Sequence, residues 1–106
     1  GNARAKELSI LGERLPAEKA YEWGLINRLT EDDNLIDEAM KVCKELANGP
    51  MSLSLIRKAF WESSDNTYEE QLNLERELQF EAGNSEDFKE GVKAFLEKRD
   101  AEFKGK

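Results

Sequence analysis

The chain has 106 residues, with 16 basic and 23 acidic side chains and a formal net charge of −7. That length allows one small domain at most, with one modest core. Histidine is absent and there is a single cysteine, which excludes Ser/His/Asp and Cys/His catalysis, His-based metal sites, internal disulfides and CxxC motifs.

The acidic balance argues against general nucleic-acid binding, which needs a basic footprint. No apolar run approaches a membrane span, and nothing at the start resembles a secretory leader. The lone cysteine suits a reducing compartment. The chain opens at Gly1 and runs straight into Ala3-Arg4-Ala5-Lys6-Glu7-Leu8. It reads as a piece of something longer.

The elements expected in chain order are nearly all helices. Good helix formers fill Ala3 to Leu11, and Gly12 supplies a C-terminal stop. Pro16 opens a short helix over Ala17–Trp23, because a first-turn proline loses no needed hydrogen bond, and Gly24 ends it. Leu25 to Leu29 has the mixed branching of an extended segment, followed by an acidic turn at Glu31-Asp32-Asp33. Leu35, Ile36, Ala39, Met40, Cys43, Leu46 and Ala47 follow a helical stripe, with Asp33 or Asn34 as N-cap. This stripe makes Cys43 a core thiol.

Gly49-Pro50 breaks that helix and starts the next, Met51 to Trp61. Its apolar residues cover most of its faces, as in a helix buried on several sides or placed at an interface. Thr67 and Glu70 have capping-box spacing, and their helix runs to Gly83. Ser85 opens the last helix, whose Phe88, Val92, Phe95 and Leu96 fall on one stripe. A polar tail, Asp100 to Lys106, follows.

Candidate chemistry is sparse. Residues 62–90 carry ten acidic and two basic side chains, whereas residues 93–106 carry five basic and three acidic. A local basic cluster attracts a small polyanion whatever the net charge. Spacing alone favours a plainer role for Lys98 and Arg99, cations closing a helix against its dipole. The acid pairs Glu18/Glu22 and Glu69/Glu70 sit among other charges, as on a solvated face. Gly91 lies inside a helix, where glycine costs about 1 kcal/mol relative to alanine. The usual return is close approach of a backbone or a ligand.

Several strings, in order, resemble one family. Gly1-Asn2-Ala3-Arg4-Ala5, Leu8, Leu11-Gly12, Ala17-Glu18-Lys19-Ala20 and Gly24-Leu25-Ile26-Asn27 resemble the middle of the crotonase superfamily, the enoyl-CoA hydratase/isomerase family. Ser85-Glu86-Asp87-Phe88-Lys89-Glu90-Gly91-Val92 and Ala94-Phe95-Leu96-Glu97-Lys98-Arg99 resemble its final helix. Trp61 to Thr67 and Glu70 to Glu75 are most similar to the phenylacetate-pathway branch, which includes 1,2-epoxyphenylacetyl-CoA isomerases.

The resemblance implies an all-α chain of about six helices, the helical C-terminal region of an α/β spiral enzyme. Residues 1–30 would be a helical linker after the spiral core, and residues 31–106 an oligomerisation and CoA-closing region. Enzymes of this family hold a thioester enolate with two backbone N–H groups and move protons with carboxylates. Those groups belong to the spiral core, so no catalytic residue is expected in this chain. By position, Phe95 and Lys98 map to substrate contacts, often with the CoA of a neighbouring subunit. Phe95 would cover apolar parts of the ligand and Lys98 would meet its phosphates or adenine end; core packing is the rival role for Phe95.

The expected ligand is an acyl-CoA substrate, with no separate cofactor and no metal. The expected assembly is a trimer or dimer of trimers in the bacterial cytoplasm. The alternative is a free-standing helical CoA-binding or protein-interaction module without catalysis.

Overall fold

The computed structural model describes residues 1–106, and its regular structure is wholly helical. Six α-helices follow one another: α1 Asn2–Leu11, α2 Ala17–Glu22, α3 Leu35–Ala47, α4 Ser52–Glu62, α5 Tyr68–Asn84 and α6 Glu86–Glu97. The chain divides into two compact units, Gly1–Ala39 and Met40–Lys106, with the division inside α3.

In the first unit, Gly12 ends α1 in the left-handed region (φ 66°), and its N–H donates to the Leu8 carbonyl. Glycine adopts this conformation without a Cβ clash, which is why it stops helices. Pro16 precedes α2 in an extended conformation. The Arg4 guanidinium lies 4.6 Å from the Trp23 ring centroid, a cation–π contact. Residues 25–29 form no strand. They follow a tight turn in which the Leu25 N–H donates to the Ala20 carbonyl, and no neighbouring strand exists to pair with them. A 3₁₀ turn at Asp32–Asn34, entered from Glu31, leads into α3.

The second unit is built from the α4–α5 pair and from α6, which packs against α5. Thr67 caps α5 through the full reciprocal box. Its Oγ1 accepts the Glu70 N–H, and the Glu70 carboxylate accepts the Thr67 N–H at 2.8 Å. Gln71 ties the two helices by donating to the Ala59 carbonyl at 3.4 Å. Ser85 alone separates α5 from α6, extended at φ −68°, ψ 157°. Its Oγ accepts the Phe88 N–H and so caps α6.

The core is thin. Leu55, Leu78 and Ala94 are buried here, and Ala20 in the first unit. No residue of α3 is buried, and its apolar stripe is open at Leu35, Ile36 and Met40. Cys43 is therefore exposed, not a core thiol. An amphipathic stripe shows which face calls for a partner, and this one is exposed along its length.

The segment after α6 departs most from expectation. Residues 100–106 form no loose tail; they return along α6. The Glu102 N–H donates to Glu90, and the Lys104 and Gly105 N–H groups donate to Asp87. The Phe103 ring lies against Gly91.

Candidate ligand-contact site on the last helix

α6 carries two different faces. Asp87, Glu90 and Gly91, spaced i, i+3 and i+4, share one face, and this face receives the returning chain. Phe88, Val92, Phe95 and Leu96 form an exposed apolar stripe. These four residues, with Pro50, Phe103 and others, line an open cavity of about 380 Å³.

Phe95 is 83% exposed. Its ring takes no part in the core of this chain, whose buried neighbour on α6 is Ala94. Lys98 is exposed and joins no ion pair. It sits just beyond α6 as the C-cap, with φ 55° and ψ 42°. No other non-glycine residue has positive φ. Its N–H donates to the Ala94 and Phe95 carbonyls, and the Arg99 N–H donates to Ala94. Glycine normally fills this position, because a side chain in the left-handed region costs about 1 kcal/mol.

Arg99 has a larger role than closing the helix dipole. Its guanidinium grips both oxygens of Glu90 at 2.6 and 3.0 Å and also bonds Glu97 at 2.7 Å. The Arg99 hydrogen bonds, followed by the Glu102 N–H, hold the Glu90 carboxyl down at about 2. Glu90 and then Glu97 in turn raise Arg99.

Asp87 is the one buried charged residue, only 2% exposed. Its carboxylate accepts N–H groups from Lys104 at 2.7 Å, Met51 at 2.8 Å and Gly105 at 2.9 Å. The Lys104 N–H is the main cause of its lowered pKa, against burial, which pushes it up. Sequence reasoning gave Asp87 no role. Bonds to chain 17 and 18 positions away leave no mark on periodicity.

The acid pairs singled out in the sequence are engaged in local bonds or exposed. Glu22 pairs with Lys19 at 2.7 Å, and Glu70 is committed to its cap. Glu18 and Glu69 are exposed. No cluster of carboxylates or cysteine is placed to hold a metal ion. A larger groove of about 560 Å³ along α4 and α5 is lined by Leu55, Ile56, Phe60 and Leu78, and it gathers no chemistry. An apolar hollow thus runs along α6 with the exposed Phe95 ring in its lining, and the unpaired Lys98 ammonium lies beyond the helix end.

Comparison with known proteins gives this arrangement a family. Residues 1–106 match the profile of the family Enoyl-CoA hydratase/isomerase. The chain is 46% identical to 1,2-epoxyphenylacetyl-CoA isomerase of Escherichia coli (strain K12), and 39% identical to trans-2-decenoyl-[acyl-carrier-protein] isomerase of Streptococcus mutans. In both cases all of this chain is covered, but only 41% of the relative. Among solved structures, an enoyl-CoA hydratase subunit from Geobacillus kaustophilus superposes with a TM-score of 0.91 at 37% identity, covering 98% of this chain and 41% of that one. A putative enoyl-CoA hydratase from Streptomyces coelicolor gives 0.96 at 28% identity, covering 100% and 39%. The chain thus spans about two-fifths of the length of the relatives it matches, and what it shares with them is an all-helical stretch. It belongs to the enoyl-CoA hydratase/isomerase family and corresponds to the helical C-terminal part of the crotonase fold.

Proposed function

We propose that this chain is the C-terminal part of an acyl-CoA hydratase or isomerase. It supplies assembly surfaces and ligand contacts, and the oxyanion hole and proton-moving carboxylates lie in the rest of the enzyme. The observation that carries the reading is the match along the whole chain to relatives named for enoyl-CoA and epoxyphenylacetyl-CoA chemistry. The identity to the Escherichia coli isomerase supports an aromatic acyl-CoA as substrate. The exposed apolar side chains of α3, α4 and α6 support a role in assembly, and the proposed assembly is a trimer or dimer of trimers.

Phe95 and Lys98 are the proposed contacts with coenzyme A. Phe95 covers apolar parts of the ligand, and Lys98 meets its phosphates or adenine end. The conformation of Lys98 supports this role. A position that favours glycine holds a lysine instead, and strain at a single residue often accompanies function. The lysine remains unpaired while the neighbouring Arg99 is fully engaged with Glu90 and Glu97.

The test compares the 106-residue chain with the full-length enzyme on crotonyl-CoA and phenylacetyl-CoA derivatives. Turnover is expected from the full-length enzyme alone. Turnover by the isolated chain, above a blank and proportional to protein, would overturn the division of labour.

A further inference from the structure

Residues 99–106 form a strap along α6. Arg99 and then the Glu102 N–H reach Glu90. The Phe103 ring lies 3.6–3.8 Å from where a Cβ on Gly91 would stand. Beyond it, the Lys104 and Gly105 N–H groups reach Asp87, and the Asp87 N–H donates to the Lys106 carbonyl at 3.0 Å. As the chain advances from 99 to 106, its contacts step back along α6 from 90 to 87.

A chain leaving a helix can run back along it only after reversing direction. The reversal falls at Lys98, through its positive φ and the backbone bonds to Ala94 and Phe95. Left to itself a lysine relaxes out of the left-handed region, which its Cβ disfavours. The Lys98 and Arg99 N–H bonds to Phe95 and Ala94 oppose that relaxation locally, and contacts further downstream add to them. Asp87 has the means to do so. It is buried, and its two oxygens accept three backbone N–H groups, two of them from the strap. The third, from Met51, anchors the same carboxylate to the residue before α4.

We propose that Asp87 is a positioning residue for Lys98: by holding the strap on α6 it maintains the chain reversal that presents the lysine ammonium to ligand. Glu90 and Arg99 form the near end of the same clamp, and the Phe103 ring lies over Gly91 between its two ends. The functional meaning rests on Lys98 being a ligand contact, but the mechanical claim stands on this geometry alone.

The experiment uses ¹³C and ¹⁵N NMR of the 106-residue chain without ligand. In the unaltered chain, the Lys104 and Gly105 amides should exchange slowly, and the Lys98 Cα and Cβ shifts should report positive φ. Asp87→Asn puts an amide group where N–H donors converge. It should speed exchange at Lys104 and Gly105 at least tenfold and move the Lys98 shifts out of the left-handed range. A chain ending at Ala101 removes most of the strap and leaves α6 intact. It should reproduce the change at Lys98 while the Leu78 amide in α5 keeps its protection. Left-handed shifts at Lys98 in either folded variant would overturn the proposal. Global unfolding of both variants, read from loss of protection at Leu78, would also overturn it, since the strap would then be a requirement for folding. Because no ligand enters the measurement, failure here leaves the coenzyme A role of Lys98 standing. That role is decided separately by substrate kinetics.

Discussion

The Arg99 guanidinium reaches back nine positions to hold both oxygens of Glu90, at 2.6 and 3.0 Å. The bidentate geometry is what a planar guanidinium does best, and lysine could not reproduce it. It turns the end of α6 into a closed loop around Lys98. The same Glu90 carboxylate takes the Glu102 N–H at 3.0 Å, so one side chain fixes both the reversal and the start of the strap.

This pairing makes the strap sensitive to acid. Glu90 is held at about 2 against an ordinary 4.5, and Asp87 is also lowered. A carboxylate with a depressed folded-state pKa stabilises fully above its unfolded value and loses that contribution as pH falls through the folded value. The protection that Glu90 gives the strap should therefore hold at pH 6, decline below about 4.5 and be largely gone near 2, and the part held by Asp87 should likewise be lost as pH falls. Amide exchange at Glu102 and Lys104 across that range checks this. Glu90→Gln should remove the part of the decline carried by Glu102.

Gly91 offers a test of packing. A Cβ there would meet the Phe103 ring at 3.6–3.8 Å, which is ordinary van der Waals contact. Gly91→Ala should therefore be neutral or stabilising, by up to about 1 kcal/mol, as helix propensity is recovered. Gly91→Leu should displace Phe103 and lower the melting temperature. Thermal unfolding of the two variants should separate them in opposite directions.

Much of the fold was legible because its punctuation is local. Gly12, Pro16, Gly49-Pro50, the Thr67/Glu70 box and Ser85 each mark a helix end through chemistry within four residues of themselves. The strap was not legible, since a carboxylate accepting distant backbone N–H groups requires no particular residue type at the donor. Asp100 to Lys106 thus read as a plain polar tail. Cys43 was misplaced for a related reason, a stripe without a partner. Gly91 was expected to admit a backbone or a ligand too near for a side chain to fit between. The approaching group is the Phe103 side chain, at normal contact distance. For Lys98, sequence placed the residue at the helix end, but its left-handed backbone became visible only in the structure.

The exposed apolar side chains predict association. Phe95, Trp61 and Phe60 are 83%, 80% and 76% exposed, and large apolar side chains left in water favour association. The isolated chain should self-associate at high micromolar concentration. Sedimentation velocity should show species larger than monomer, and Trp61→Asp with Phe95→Asp should shift the distribution towards monomer. A purely monomeric profile for the unaltered chain would contradict this.

Stability and ligand affinity should move in opposite directions at Lys98. Lys98→Gly relieves the left-handed strain and should stabilise the chain by about 0.5–1 kcal/mol. The same change should weaken coenzyme A binding in the full-length enzyme. A lysine that merely closes its helix gives no such divergence. Chemical denaturation of the chain, beside ligand titration of the enzyme, measures the two effects.

The most direct measurement of the central claim is Lys98→Ala in the full-length enzyme, assayed with a coenzyme A thioester and with the matching pantetheine thioester. A contact remote from the reacting carbons binds ground state and transition state alike, so its loss raises KM and leaves kcat nearly unchanged. A charge-assisted hydrogen bond is worth about 1.5–3 kcal/mol, giving a loss in kcat/KM of roughly ten- to a hundredfold. That loss should shrink with added salt and vanish with the pantetheine thioester, which lacks the nucleotide. Equal effects of Lys98→Ala on both substrates would contradict the account.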